Sequence, residues 1–349
     1  MTYSTPNQLA WKKFKTNYLA LGGLLYLAIM LLLAIIAPYI VPDQSPHANT
    51  ICLPIATQKP IFTVQSFVYT KNEVDYTIPI YKYHTTSDSI HIEEYTGNTP
   101  NEGLIRKIAF NSIPNFNLEK AIQSKSFYFG TDRLGRDLFS RMLLGTRISL
   151  TIGLIAVFIS LLIGVVLGGI GGYYGGWVDT CVTWLINVVW SIPTLILVIA
   201  ITFVLGKGFW QVFVGVGLTM WVEIARMTRG QILSLREKEY IEACKSMGYS
   251  DIRILLQHLL PNITGPLIVI SASNFASAIL IEAGLSFLGI GVQPPIPTWG
   301  SMIKEHYSYI MMDAAYLAFI PGLAIMLLVM AFIFVGDGLR DTFDYRKTD

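Results

Sequence analysis

The chain is short of charge. Only 14% of its 349 residues are Asp, Glu, Lys or Arg, where a soluble domain carries about a quarter. With 53% hydrophobic residues, that shortage excludes an ordinary soluble domain and indicates an integral membrane protein. The net charge of +2, with no basic run and no low-complexity tract, leaves nucleic acid no electrostatic footprint. Cysteine is scarce as well. Cys52, Cys181 and Cys244 lack CxxC spacing and have no neighbouring His, which argues against a structural disulfide or a zinc site. A Walker A sequence is missing, so the chain has no ATP-binding loop of its own. GGYYGGWVD (171–179) is glycine-rich, but it has no GK[ST] ending and no buried strand before it, and it reads as a turn.

What is present is a series of uncharged runs. Residues 1–15 are short and basic, with Lys12, Lys13 and Lys15, and they precede a run over 16–42. That run exceeds the roughly 20 residues a bilayer core needs. It outlasts the apolar core of a signal peptide, which is about 7–15 residues. It is expected to be an uncleaved first span with the N-terminus in the cytoplasm. Further spans are expected at 148–170, 180–205, 209–225, 263–288 and 314–336, with a cytoplasmic tail at 337–349. Gly153, Gly164, Gly168 and Gly169 permit close helix packing in the second span. Pro193 should kink or restart the third. The fourth spans only if Glu223 and Arg226 lie at its cytoplasmic end.

Residues 43–129 are polar and rich in Thr, Tyr, Asn and Pro. DYTIPIYKYHTT and SIHIEEYT alternate in part and suggest two strands joined at Ser87-Asp88. A small extracytoplasmic β-containing insert is expected. Its His47, His84, His91, Asp88, Glu93 and Glu94 have no metal-ligand spacing. After it, Thr131 or Asp132 is expected to cap an amphipathic surface helix bearing Leu134, Leu138, Met142 and Leu143, with Asp137 and Arg141 as an i, i+4 pair. Arg133, Arg136, Arg141 and Arg147 then fall on the outer side, against the positive-inside trend.

One polar island interrupts the second half, LREKEYIEACKSMGYSDIRILLQHLLPN over Leu235–Asn262. Tyr240, Cys244 and Met247 recur at helical spacing, and Gly248 reads as a helix stop. Ser250 or Asp251 can cap a second helix, in which Ile252, Leu255, Leu256 and Leu259 form an apolar stripe. Pro261 is expected to end it. The unit is a helix–turn–helix between spans that a soluble partner can grip. Further on, Glu282 is an acid at the end of an uncharged run, either a pathway or gate residue or an interfacial acid. Pro294, Pro295 and Pro297 stiffen the loop that follows.

Glu242-Ala243-Cys244, then Gly248, then Leu260-Pro261 resembles the EAA loop of ABC importer permeases, with His258 standing at that motif's Ile position. His258 to Asn262 looks like the peptide/nickel (Dpp/Opp) subfamily. FGTDRLGRDLFSRMLLGTRISL and LIEAGLSFLGIGVQPPIPTWG are similar to two further stretches of that subfamily. Together they resemble its C-type dipeptide/oligopeptide subunit. The resemblance implies an all-α inner-membrane protein with six transmembrane helices, a permease core at 130–336, a cytoplasmic coupling loop at 226–262 and both termini cytoplasmic. It implies a pathway shared with a second permease, two ATPases that bind ATP and Mg, and an extracytoplasmic binding protein that delivers peptides. The chain itself would bind no cofactor and do no chemistry. Glu242, Ala243, Cys244, Gly248, His258, Leu260 and Pro261 would couple to the ATPase. Glu282, Gln293, Pro294 and Pro295 are candidates for a gate or receptor contact, and Gly130, Thr131, Asp132, Gly135, Arg136 and Asp137 form the motif ahead of the second span. A nickel-chelate permease, a proton-coupled carrier and a membrane scaffold are the rival readings. The carrier is disfavoured by the single intramembrane acid and the absence of a repeat.

Overall fold

The computed structural model describes residues 6–71, 74–97, 99–112, 118–206 and 208–343. The ends of the expected N-terminal segment and tail, 1–5 and 344–349, lie outside the described residues. Two compact units divide the chain. One comprises 1–36, 145–305 and 319–349; the other comprises 37–144 and 306–318.

The first unit is helical. Helix α1, Pro6–Thr16, occupies the basic segment expected only as a tail, and α2, Tyr18–Ile40, is the first uncharged run. Short α3, Leu118–Ala121, belongs to the other unit. Helix α4 runs over Leu138–Tyr174, longer at both ends than the 148–170 expected. Of the glycine-rich stretch only Gly175 lies outside a helix; it and Gly176, the first residue of the next helix, are both at positive φ. Helices α5 (Gly176–Trp190) and α6 (Thr194–Leu205) meet at a 91° bend. The expected third span over 180–205 is therefore two short helices, because Pro193 cannot supply the N–H that would continue α5. Helix α7, Phe209–Arg236, carries on well past 225. Among the described residues, four helices are long and apolar enough to cross a membrane, or five if the bent pair counts as one.

Glycine sets the closest helix approach. A Cβ on Gly164 would lie 2.8 Å from the Trp221 carbonyl, on Gly168 2.3 Å from that of Ala225, and on Gly172 2.8 Å from that of Arg229. These three glycines, four residues apart, form one stripe that seats α4 on the backbone of α7. Gly169, expected in that role, faces only the Ile232 methyl at 3.8 Å, and Gly172 takes its place. Gly168→Leu is expected to lower stability by about 1–3 kcal/mol, while Gly169→Ala changes it little. Thermal unfolding of the two variants in detergent checks the contrast.

In the second unit, five strands form an antiparallel sheet in the order β4-β3-β2-β1-β5. They are β1 (Phe62–Lys71), β2 (Val74–Thr85), β3 (Ser89–Glu94), β4 (Ile105–Ala109) and β5 (Ile122–Phe127). The hairpin at Ser87-Asp88 is present as β2–β3; the other three strands were not anticipated. Phe67, Ile80, Ile90 and Ile92 bury the sheet's inner face. Glu93 lies 3.6 Å from Lys82 and Glu94 2.6 Å from Arg106, so two of the insert's acids are engaged in ion pairs. His84 and His91 are cross-strand neighbours.

Candidate functional site

Two motifs from the sequence become concrete sites. The first is the loop at 235–262. Helix α8, Glu239–Ser246, ends at Gly248, whose φ of +79° lies in the left-handed region. Its amide donates to the Lys245 carbonyl at 2.9 Å, and the Tyr249 amide to that of Cys244 at 3.1 Å. Helix α9, Asp251–Ile254, follows.

Here the structure differs from expectation. Leu255–Leu259 winds as a single wide turn of π-helix and passes into α10, Leu260–Asn262. Pro261 therefore does not end the helix. It lacks an amide, and its ring would clash with the carbonyl four residues back; the widened turn relieves both. After one non-helical residue, Ile263, the chain continues as α11, Thr264–Leu288.

The wide turn also breaks the apolar stripe. Ile254 and Leu259, five residues apart, are fully buried, whereas Ile252 and Leu256 stand out at 67% and 59% exposure. Ile254, Leu259, Ile241, Cys244, Ile263, Ile232 and Tyr173 share one cluster. The Tyr173 hydroxyl donates to the Asp251 carboxylate at 2.6 Å and fastens the loop to the end of α4. Arg236 donates to the carbonyls of Gly172 and Tyr173, both at 3.2 Å.

Of the residues picked from the motif, Glu242, Ala243 and Gly248 are exposed. Cys244 is 6% exposed and packs inward on the loop's own cluster. His258 is half-buried against Tyr249, ring centroids 5.8 Å apart. Leu260 packs on the same cluster and Pro261 is exposed. Met247 and Tyr240, at 63% and 41% exposure, complete an outward face with Ile252 and Leu256.

The second site is Gly130–Asp137. It is a tight loop with Thr131 bridged to Asp137, not the first turns of a helix, and α4 starts only at Leu138. Tertiary contacts outweigh the capping signal. Cys52 and Gln58 pair with Leu134 and Thr131 through the backbone. A Cβ on Gly130 or Gly135 would fall 2.1 Å from the Gln58 carbonyl or 1.8 Å from that of Cys52. Asp132 is fully buried. It accepts the amides of Leu134 and Arg136, each at 2.9 Å, and the Arg136 Nε at 2.5 Å, and it lies 3.8 Å from the Arg141 Nε. Asp137 caps α4 by accepting from the Ser140 amide at 3.2 Å and hydroxyl. Burial raises the Asp137 pKa above 3.8, with the Ser140 bonds pulling the other way. Arg136 and Arg141 are thus internal ion-pair members, while Arg133 and Arg147 stay exposed, so half of the basic side chains that conflicted with the positive-inside trend are removed from the surface.

Glu282 is 1% exposed and accepts from the Ser286 hydroxyl at 2.7 Å, while Thr298 donates to Ser286 at 3.4 Å. Helix α11 ends at Gly289 in the left-handed region. Gln293 folds back on the Gly289 and Gly291 carbonyls at 3.2 and 2.7 Å, leaving Pro294 and Pro295 exposed. Helix α12, Trp299–His306, then buries Trp299 against Gly145.

The chain is similar to known transport proteins. Residues 5–60 match the family described as the N-terminal TM domain of oligopeptide transport permease C. The glutathione transport system permease protein GsiD of Escherichia coli O6:K15:H31 is 44% identical over 63% of this chain and 73% of its own length. GsiD of Pectobacterium atrosepticum is 42% identical over the same shares. A solved structure of the MetNI methionine ABC transporter, in an inward-facing conformation, has 21% identity and a TM-score of 0.48, covering 59% of this chain and 97% of its own. Residues 160–349, which hold the loop, Glu282 and the end of α4, match the family of binding-protein-dependent transport system inner membrane components, and this chain belongs to that family of ABC importer permeases.

Proposed function

We propose that this chain forms, with a second permease, the membrane pathway of an importer for small peptides, driven by two ATPases that grip the loop at 235–262. The observation that carries the reading is the loop's two-sidedness. Its inner face is packed on α4, α7 and α11, while Ile252, Leu256, Met247 and Tyr240 project outward beside Glu242. An apolar patch on an ordered polar loop, outside any uncharged run, suits a protein partner. The charged loop belongs on the cytoplasmic side by the positive-inside rule. In this reading α7 also crosses, beside α2, α4, the bent α5–α6 pair, α11 and the last helix, α13 (Tyr316–Phe343), so that the spans number six and both termini are cytoplasmic. The insert at 43–129 then lies on the side of the binding protein, as by the same count do Gln293, Pro294 and Pro295. Glu282, internal and bonded to Ser286, serves to hold the end of α11. ATP and Mg belong to the ATPases. Peptides are the cargo because the relatives at 42–44% identity are named for glutathione, a tripeptide.

Ile252→Asp together with Leu256→Asp is expected to strip the ATPases from the purified complex and to abolish peptide uptake, with this chain still inserted in the membrane. Each substitution sets a hydrated charge where an apolar contact is required. Full ATPase retention in the double variant would remove the loop from the coupling role. Uptake that survives deletion of the ATPases would return the carrier reading.

A further inference from the structure

The 91° bend between α5 and α6 borders a cavity of about 220 Å³. Helices α7 and α11 supply its other walls. Roughly seven water volumes fit there, enough for the end group of a small molecule but not for a whole peptide. Seven of the eleven described lining residues are apolar, Trp190, Leu197 and Met220 among them, and the wall exposes polar and apolar surface in near-equal parts. The polar atoms come from the hydroxyls of Thr194, Thr219 and Ser277 and from the carboxylate of Glu223, the single charged group among the described lining residues.

Glu223 is unusual for where it stands. It is the fifteenth residue of α7, so it sits about 21 Å along the helix axis at 1.5 Å per residue. A bilayer core is about 30 Å thick. If α7 enters the membrane at its first turn, the exposed carboxylate lies about two thirds of the way across, short of the cytoplasmic end where the sequence placed it, and an acid at that depth is costly and marks a function by default. Among the described residues it makes no ion pair. The nearest base along its own helix, Arg226, is engaged by the Trp190 ring, itself part of the cavity wall, at 3.5 Å, and Arg229 is bound to Asp179. The Thr219 hydroxyl donates to the Val216 carbonyl and so presents lone pairs to the cavity. The site therefore offers one anion and several hydroxyl acceptors, which fits a group that carries a positive charge and several N–H donors.

We propose that this cavity binds the free α-ammonium group of the transported peptide, with Glu223 as its counter-ion. The proposal rests on the peptide reading above and adds a residue that selects substrate inside the pathway. The surrounding apolar walls accept one small terminal side chain. An N-acetylated peptide lacks the charge and leaves the carboxylate unmatched, which a site built for a charged donor rejects.

The test uses the complete transporter, both permeases and both ATPases, in lipid nanodiscs without the binding protein. Affinities for trialanine and N-acetyl-trialanine are measured directly. The wild type is expected to favour trialanine by about tenfold, the scale of one hydrogen bond to a charged group. Glu223→Gln should bring the two affinities together by weakening trialanine alone, and Glu223→Asp should restore most of the gap. Equal affinities in the wild type, no binding of either peptide, or a gap that survives in Glu223→Gln would each overturn the proposal. Uptake of trialanine by whole cells separates the two levels. Uptake with no Glu223-dependent gap removes only this site, and absence of uptake removes the peptide reading as well.

Discussion

Gly248→Pro is expected to abolish uptake while leaving the chain in the membrane. The native φ of +79° is closed to proline, whose ring locks φ near −65°. The substitution also removes the amide that donates to Lys245 at 2.9 Å. A cost of about 3 kcal/mol reduces the population of the native turn by about a hundredfold. Gly248→Ala tests the same turn more gently. A Cβ there meets nothing within 4 Å, so its cost is backbone strain alone, about 1–2 kcal/mol, and partial uptake is expected. Gly230→Ala is the control. That position also has nothing within 4 Å, but it lies in the regular part of α7. ATPase activity measured alongside uptake distinguishes the outcomes: hydrolysis without transport is expected in Gly248→Pro. Normal uptake in that variant would show that the order of this turn is irrelevant to transport.

Asp132→Ala is expected to have the largest effect on stability. Its carboxylate is fully buried and meets two backbone amides and two arginines. Deleting it takes from Arg136 and Arg141, 3% and 1% exposed, the carboxylate they share. Removing one member of such a group costs about 3–5 kcal/mol, a large part of the 5–15 kcal/mol a domain has in hand. Low protein levels in the membrane and rapid proteolysis within 37–144 are the expected signs. Asp132→Asn keeps the acceptor for the amides and should fall between the two. A stable Asp132→Ala chain would contradict the ion-pair account.

The uncharged runs that became α2, α4, α11 and α13 were plain in the sequence, because a bilayer demands length and apolarity and little else. The β2–β3 hairpin was legible from its alternation and its Ser87-Asp88 turn. Strand β1 alternates too, as FTVQSFVYTK, but it lies in a polar setting where short runs are ambiguous. The helix expected from Thr131 failed for a different reason. Capping preference is local, and the decision there belongs to Cys52 and Gln58, some 70 to 80 residues earlier in the chain. In the coupling loop, the glycine stop and the motif residues were readable. The inward turn of Cys244 and the outward turn of Ile252 and Leu256 were not. A stripe drawn at 3.6 residues per turn loses phase when one turn is wound wider, and only Pro261 hinted at that. Glu223 was noticed as a boundary marker; its place on a cavity wall required the bend at Pro193.

The single non-helical residue at Ile263 has a mechanical consequence. Beyond it, α11 is 25 residues long, a stiff rod of about 37 Å. Before it, the loop is bolted to α4 through Tyr173 and Asp251. A rocking of the loop by about 10° about that joint would sweep the far end of the rod through about 6 Å, by the same helix length. That end carries Glu282 and Ser286 and the closely folded chain up to Trp299. A modest rotation imposed at one surface of the membrane would thus emerge as a displacement of molecular size at the other, with Ile263 as fulcrum.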